Sequence, residues 1–132
     1  MNKNNACPCC TDKTYADCCG RYLTGSETPA TAEALMRSRY TAYTLLNENY
    51  LLSTWHSSSR PHQLSLAKEP SEKWLGLQVK RYEQQDAEHA TVEFVARYKV
   101  GGRAHRLHEV SRFVHEDGRW FYVDGEIEGA NL

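Results

Sequence analysis

The sequence predicts an α+β fold in which helices come first and pack on one face of a curved antiparallel sheet, preceded by a short cysteine-rich segment. Three observations lead there. Apolar residues recur at three- and four-residue steps between positions 32 and 56, the signature of amphipathic helices. From Leu75 the period drops to two, with glycine-containing turn pairs between the runs, as in strands joined by hairpins. All five cysteines lie between Cys7 and Cys19. Helices followed by antiparallel strands put the helical layer on one side of the sheet.

The cysteine segment reads Cys7-Pro8-Cys9-Cys10, a turn-forming Thr11-Asp12-Lys13, then Tyr15 and Cys18-Cys19-Gly20. Two thiols one residue apart, a reversing loop and two adjacent thiols form a pattern that closes four sulfurs around a tetrahedral ion, for which zinc is the usual occupant. Tyr15 is expected to cover one side of the cluster. Gly20 is expected to take a positive φ and let the backbone pass close to the metal. Lys13 and Lys3 offset part of the charge that four thiolates leave on a divalent ion. Two other readings exist. Cys7-Pro8-Cys9-Cys10 contains a C-x-x-C pair, but redox pairs of that kind follow a strand and open a helix, and the residues before Cys7 are polar. A disulfide-stapled secreted peptide would need an apolar export segment, which Met1-Asn2-Lys3-Asn4-Asn5 does not offer.

On Cys7, Cys9, Tyr15, Cys18, Cys19 and Gly20, this stretch resembles the SEC-C motif, the zinc knuckle found at the C-terminus of the SecA translocation ATPase. The resemblance implies Cys7, Cys9, Cys18 and Cys19 as ligands of Zn2+, with Cys10 as a bystander. The segments are then a knuckle over 1–22, a linker over 23–30 and a main domain over 31–132. Leu23 to Ala30 is turn-rich, as a linker should be.

Within the main domain, Thr31 is a plausible N-cap and Glu33 favours the first helical turn. A helix runs from Ala32 to about Leu46, with Leu35, Met36, Tyr40, Tyr43 and Leu46 on one side. Asn47-Glu48-Asn49 interrupts it, and Tyr50 to His56 forms a second, shorter helix. Ser57 to Pro61 is a loop, Gln63 to Leu66 a short strand, and Pro70 to Trp74 a helical turn. Strands follow from Leu75, over Ala90–Val100, Arg103–His115 and Arg119–Val123. Gly101-Gly102 and Asp117-Gly118 are two-residue hairpin turns and set the register.

That register sorts the side chains. One face carries Val92, Phe94, Ala96, Tyr98, Leu107, Phe113, Trp120 and Tyr122, together with His105, Glu109, Ser111 and Asp124. The other sets Arg97 opposite Arg106, with Lys99, His108 and Arg112 nearby. Such cations either splay into solvent and pair with acids or offer a surface to a phosphate-bearing partner such as RNA.

The chain of 132 residues carries a formal net charge of −1 and a mean hydropathy of −0.70. Its length fits one modest core with a small addition. The near-zero charge removes the argument for bulk nucleic-acid binding. No apolar run approaches the roughly 20 residues that span a bilayer, and clustered thiols without an export signal point to the cytoplasm.

Ala34-Leu35-Met36-Arg37-Ser38-Arg39-Tyr40-Thr41-Ala42-Tyr43, Thr54-Trp55-His56, His108 to Phe113 and Gly118 to Gly125 look like the bacterial YchJ family. That resemblance implies a SEC-C knuckle joined to a nuclear transport factor 2-like domain, a cone of helices closed on a curved sheet. The SEC-C resemblance to the translocation ATPase implies a zinc-binding adaptor whose knuckle meets a protein or ribosome-associated partner, and the cone is expected to offer a small-ligand pocket. The alternative is an isomerase, dehydratase or hydrolase. Glu109, Asp124 and His105 would then supply acid and base in an apolar pocket, with Tyr98, Ser111, Tyr122, Arg37 and Tyr43 in its wall. No Gly-rich phosphate loop, H-E-x-x-H or nucleophile elbow is present.

Overall fold

A computed structural model describes residues 6–9, 13–64 and 73–131. Three helices precede four strands: α1 (Gly20–Leu23), α2 (Ala32–Thr44), α3 (Glu48–Ser53), β1 (Lys73–Gln84), β2 (His89–Val100), β3 (Arg103–Glu116) and β4 (Arg119–Asn131). The strands form one antiparallel sheet in sequence order, β1-β2-β3-β4. Among the described residues, no helix is long and apolar enough to cross a membrane.

Helix α2 begins where its cap dictates, with the Thr31 side chain accepting from the Ala34 amide at 3.1 Å. Leu35, Met36, Tyr40, Ala32 and Ala42 are all buried, and so are Ser38, Arg39 and Thr41. Burial on nearly every side means that α2 lies between two layers. The sheet covers one flank and the cysteine segment covers the other, and both belong to one continuous apolar cluster.

The second helix starts earlier than expected and ends sooner. Asn47 does not break the chain but caps α3, its side chain accepting from the Tyr50 amide at 3.0 Å; an asparagine at that place satisfies a donor the helix cannot. Thr54, Trp55 and His56 leave the helix to join β4, through Tyr122 N–H to Thr54 O at 2.8 Å and His56 N–H to Tyr122 O at 2.7 Å. A short helical turn, α1, follows the last cysteine pair. Gln63 and Leu64 form no strand; the rest of that expected strand, and Pro70 to Glu72 of the expected helical turn, lie outside the described residues. Lys73 and Trp74 open β1 instead.

The expected β2–β3 register is the observed one: Tyr98 opposite His105, Ala96 opposite Leu107, Phe94 opposite Glu109, Val92 opposite Ser111. Between β3 and β4 the expected pairs hold near the turn, Phe113 with Tyr122 and His115 with Trp120, and then slip at a bulge between Arg112 and Phe113. Beyond the bulge Ser111 faces Gly125, and Asp124 faces Arg112. Strand β4 continues to Asn131 rather than ending at Val123. A further irregularity at Trp74/Gly76 leaves Leu75 exposed, although the alternating pattern placed it in the core.

Candidate functional site

Two features of the fold collect chemistry-bearing side chains. The first is the cysteine cluster. An Ala6–Thr14 bridge and the Cys7 amide bonded to Lys13 O (3.1 Å) close the loop, and the Cys18 and Gly20 amides bond Tyr15 O at 3.1 and 2.7 Å. This turn brings the Cys7, Cys9, Cys18 and Cys19 sulfurs within 4.8 Å of one another, all four residues buried. Cys7 to Cys9 is 3.5 Å and Cys9 to Cys18 is 3.6 Å. A tetrahedron with metal–sulfur bonds of about 2.3 Å has edges of roughly 3.8 Å, so these sulfurs already stand at ligand spacing.

Electrostatics supports the same assignment. Hydrogen bonds from Cys19 and Cys9 drive the Cys7 thiol strongly down. The Cys19 bond also pulls Cys9 down, but the bond with Cys7, burial and the neighbouring sulfur charges carry it up to about 11. Cys19 is pushed further up by its bonds to Cys7 and Cys9 and by burial. Four buried sulfurs cannot all ionise without a cation between them, and a divalent ion at the centre removes that conflict. Helix α2 holds the cluster from outside: Arg37 Nη1 donates to Cys9 O at 3.1 Å, and Thr41 Oγ1 lies 3.8 Å from Cys7 Sγ. Cys10 lies outside the described residues.

The glycine after the cysteines acts by a different cause from the one expected. Gly20 opens α1 and is not among the positive-φ residues. A Cβ there would stand 2.7 Å from Tyr15 O and 2.8 Å from its ring, so the missing side chain lets Tyr15 close over the cluster.

The second feature is a cavity of about 280 Å³ between α2 and the sheet. Its walls are Met36, Tyr40, Trp74, Phe94, Ala96, Leu107 and Phe113, with polar groups from Arg39, Tyr43, Glu109, Ser111 and Tyr122. Arg39 is only 5% exposed. Its Nη1 donates to Leu51 O at 2.8 Å and Thr54 Oγ1 at 2.7 Å. Its guanidinium stands 4.5 Å from the Tyr122 ring centroid and 5.1 Å from that of Trp55, within cation–π range of both. Burial lowers its pKa, partly offset by Tyr43, Tyr122, Tyr50 and Glu109; an arginine stays charged even so. Glu109 Oε2 accepts from the Ser111 hydroxyl at 2.9 Å. Burial, with the Glu109 charge, pushes Tyr122 up to about 12, and burial raises Tyr43 against the pull of Arg39. Both phenols therefore remain proton donors at neutral pH.

Of the residues expected at this site, Glu109, Ser111, Tyr43 and Tyr122 are brought together. Asp124 is not: the bulge turns it outward, where its Oδ1 accepts from Arg112 Nε at 2.7 Å. His105 and Tyr98 lie on the correct face but beyond the cavity, stacked on each other at 5.2 Å. Arg37 turns to the other flank of α2, bonded to Glu33 and Cys9 O. Its neighbour Arg39 takes the place expected of it, because Arg39 falls three residues after Met36 and four before Tyr43, inside the apolar stripe. That spacing is the sequence signal for it. Trp74 had no such signal, since it reaches the wall only through the irregular start of β1.

A helical layer over an antiparallel sheet, with a cavity between them and a four-cysteine cluster on the far flank of α2, defines a nuclear transport factor 2-like protein with a SEC-C-type segment. A family model described as the YchJ middle NTF2-like domain matches residues 31–125. The chain belongs to that family. A UPF0225 protein of Cupriavidus metallidurans is 58% identical over 127 residues, covering 92% of this chain and 88% of the relative. One of Ralstonia nicotianae is 58% identical over 132 residues, covering 92% and 91%. The solution structure of a SEC-C motif containing protein from Rhodopseudomonas palustris matches with a TM-score of 0.82 at 38% identity, over 96% of this chain and 98% of that one. A crystal structure of a SEC-C motif containing protein from Psychrobacter arcticus matches with a TM-score of 0.75 at 30% identity, over 96% and 84%.

Proposed function

We propose that the chain is a zinc-stapled small-ligand-binding protein, in which the four thiolates hold the N-terminal segment to α2 and the cone cavity is the working site. An all-cysteine tetrahedral set suits zinc, and a closed set of four protein ligands is the structural kind. The ion supplies folding free energy there; Cys7, Cys9, Cys18 and Cys19 would hold it. Burial of every sulfur gives the metal this structural task. The adaptor role with a protein or ribosome-associated partner draws its support from the family resemblance.

One observation carries the pocket reading: Arg39 is buried in its wall with neutral oxygens as hydrogen-bond partners and no carboxylate within 4 Å among the described residues. A buried cation with no carboxylate in contact is costly. A ligand acceptor set against Arg39 and the Tyr43 and Tyr122 hydroxyls offsets that cost, while the aromatic wall takes an apolar body. The volume lies just below the usual range of ligand pockets, about 300–1,000 Å³, and so favours a compact molecule. Glu109, held by Ser111, is the one acid in place to accept a proton from such a ligand.

The test uses nitrogen-15 NMR of the metal-loaded chain with benzoate and benzamide as probes. Amide shifts confined to the neighbourhood of Ala96, Glu109 and Ser111 are expected at millimolar probe. Ala96→Phe, which fills the cavity, is expected to abolish them while metal content and melting temperature hold. Identical titrations of the two proteins would sink the reading.

A further inference from the structure

The sheet face turned away from the helices carries a feature independent of the cavity. Lys73 stands directly opposite Lys99, and Arg97 stands directly opposite Arg106. Arg97 and Lys99 are two residues apart on β2, so all four side chains share that outer face. All four are exposed. None has a carboxylate within 4 Å among the described residues. The acids nearby on that face are engaged elsewhere, Glu93 with His108 at 2.6 Å, Asp124 and Glu126 with Arg112.

Like charges in directly opposed positions destabilise a sheet, and here two such pairs lie side by side. The strands are not free to splay and relieve them. On the inner face Trp74 packs on Tyr98 at 5.4 Å and Tyr98 on His105 at 5.2 Å, a row that ties β1, β2 and β3 together behind the cations. The fold therefore holds four positive charges in a fixed block at some cost to itself.

We propose that this block binds the phosphate backbone of a single nucleic-acid strand. Two guanidinium forks and two ammonium groups match phosphate oxygens. A protein partner would need an apolar centre to its interface, and the block has none. The cations span two interstrand steps of about 4.8 Å and one two-residue step of roughly 6.7 Å, room for three or four phosphates. The four cations lie on three adjacent strands of the sheet and none on a helix, and a flexible strand can lie across them. Arg112, which the sequence grouped with Arg97, Lys99 and Arg106, is neutralised by Asp124 and Glu126; Lys73 takes its place.

The test is fluorescence anisotropy of a labelled 12-nucleotide oligothymidine with the full, metal-loaded chain between 20 and 200 mM KCl. Four contacts predict a slope of log K against log salt of about −3 for a single strand. Lys99→Gln and Arg106→Gln are each expected to weaken binding several-fold and to flatten the slope by about 0.7. The same substitutions should raise the melting temperature at low salt, since each relieves an opposed pair. Arg112→Gln should leave the slope unchanged. A salt-independent affinity, a Lys99→Gln/Arg106→Gln chain that binds as wild type, competition by polyglutamate equal to that of the oligonucleotide, or tighter binding of a duplex would each overturn the proposal.

Discussion

Gly20 and Arg39 show what a single position decides. At Gly20 the nearest atoms to a built Cβ are Tyr15 O at 2.7 Å and ring carbons at 2.8 and 2.9 Å, and the carbonyl cannot give way without breaking the turn that it closes. Gly20→Ala is expected to cost about 1–3 kcal/mol, as overpacking does, and to loosen metal binding; a calorimetric melt and a competition titration for zinc would check it, and unchanged values in both would refute it. The residue type was legible in the sequence. Its cause was not, because a glycine that avoids contact and one that turns left-handed look alike on paper. Arg37 and Arg39 pose the same difficulty. Two residues on a helix differ by more than half a turn of direction, so one faces the sulfurs and the other the cavity, and only the apolar stripe of Met36, Tyr40 and Tyr43 separates them.

At the level of elements, a tyrosine hydroxyl joins α3 to α2, and a second buried tyrosine stands on β4. Tyr50 on α3 contacts the Ser38 hydroxyl at 2.6 Å, and burial pushes its pKa up to about 12, as for Tyr122 on β4. A phenol in the unfolded chain titrates near 10. The folded state therefore holds these protons more tightly, and the stability this contributes is whole below pH 10 and lost as pH rises through 12. Urea midpoints measured from pH 9 to 12 are expected to fall across that window and to fall less in Tyr122→Phe; a flat profile to pH 12 would be incompatible with both shifts. The hairpins were readable because Gly101-Gly102 and Asp117-Gly118 carry their turn geometry locally. Helix α3 was misplaced because Asn47 reads equally well as a breaker and as a cap.

For the whole molecule, the cysteines and the helical core form one apolar cluster, so the N-terminal segment does not melt as a separate unit. One zinc per chain is expected by elemental analysis. Stripping it with a chelator should move a single cooperative transition to lower temperature, whereas an early transition of its own, with the main melt unmoved, would contradict the shared core. Order of helices and strands, sheet register near the turns and the thiol spacing were all encoded within short stretches. The exclusion of Asp124 from the cavity was not, since it depends on the bulge between Arg112 and Phe113. That bulge puts Gly125 opposite Ser111, where any Cβ would run into the Glu109 carboxylate. The pocket's charge is thus a question of parity. With one residue fewer in the count along β4, Asp124 would turn inward and Glu109 would lose its space, so a single-codon deletion would change which carboxylate the pocket holds.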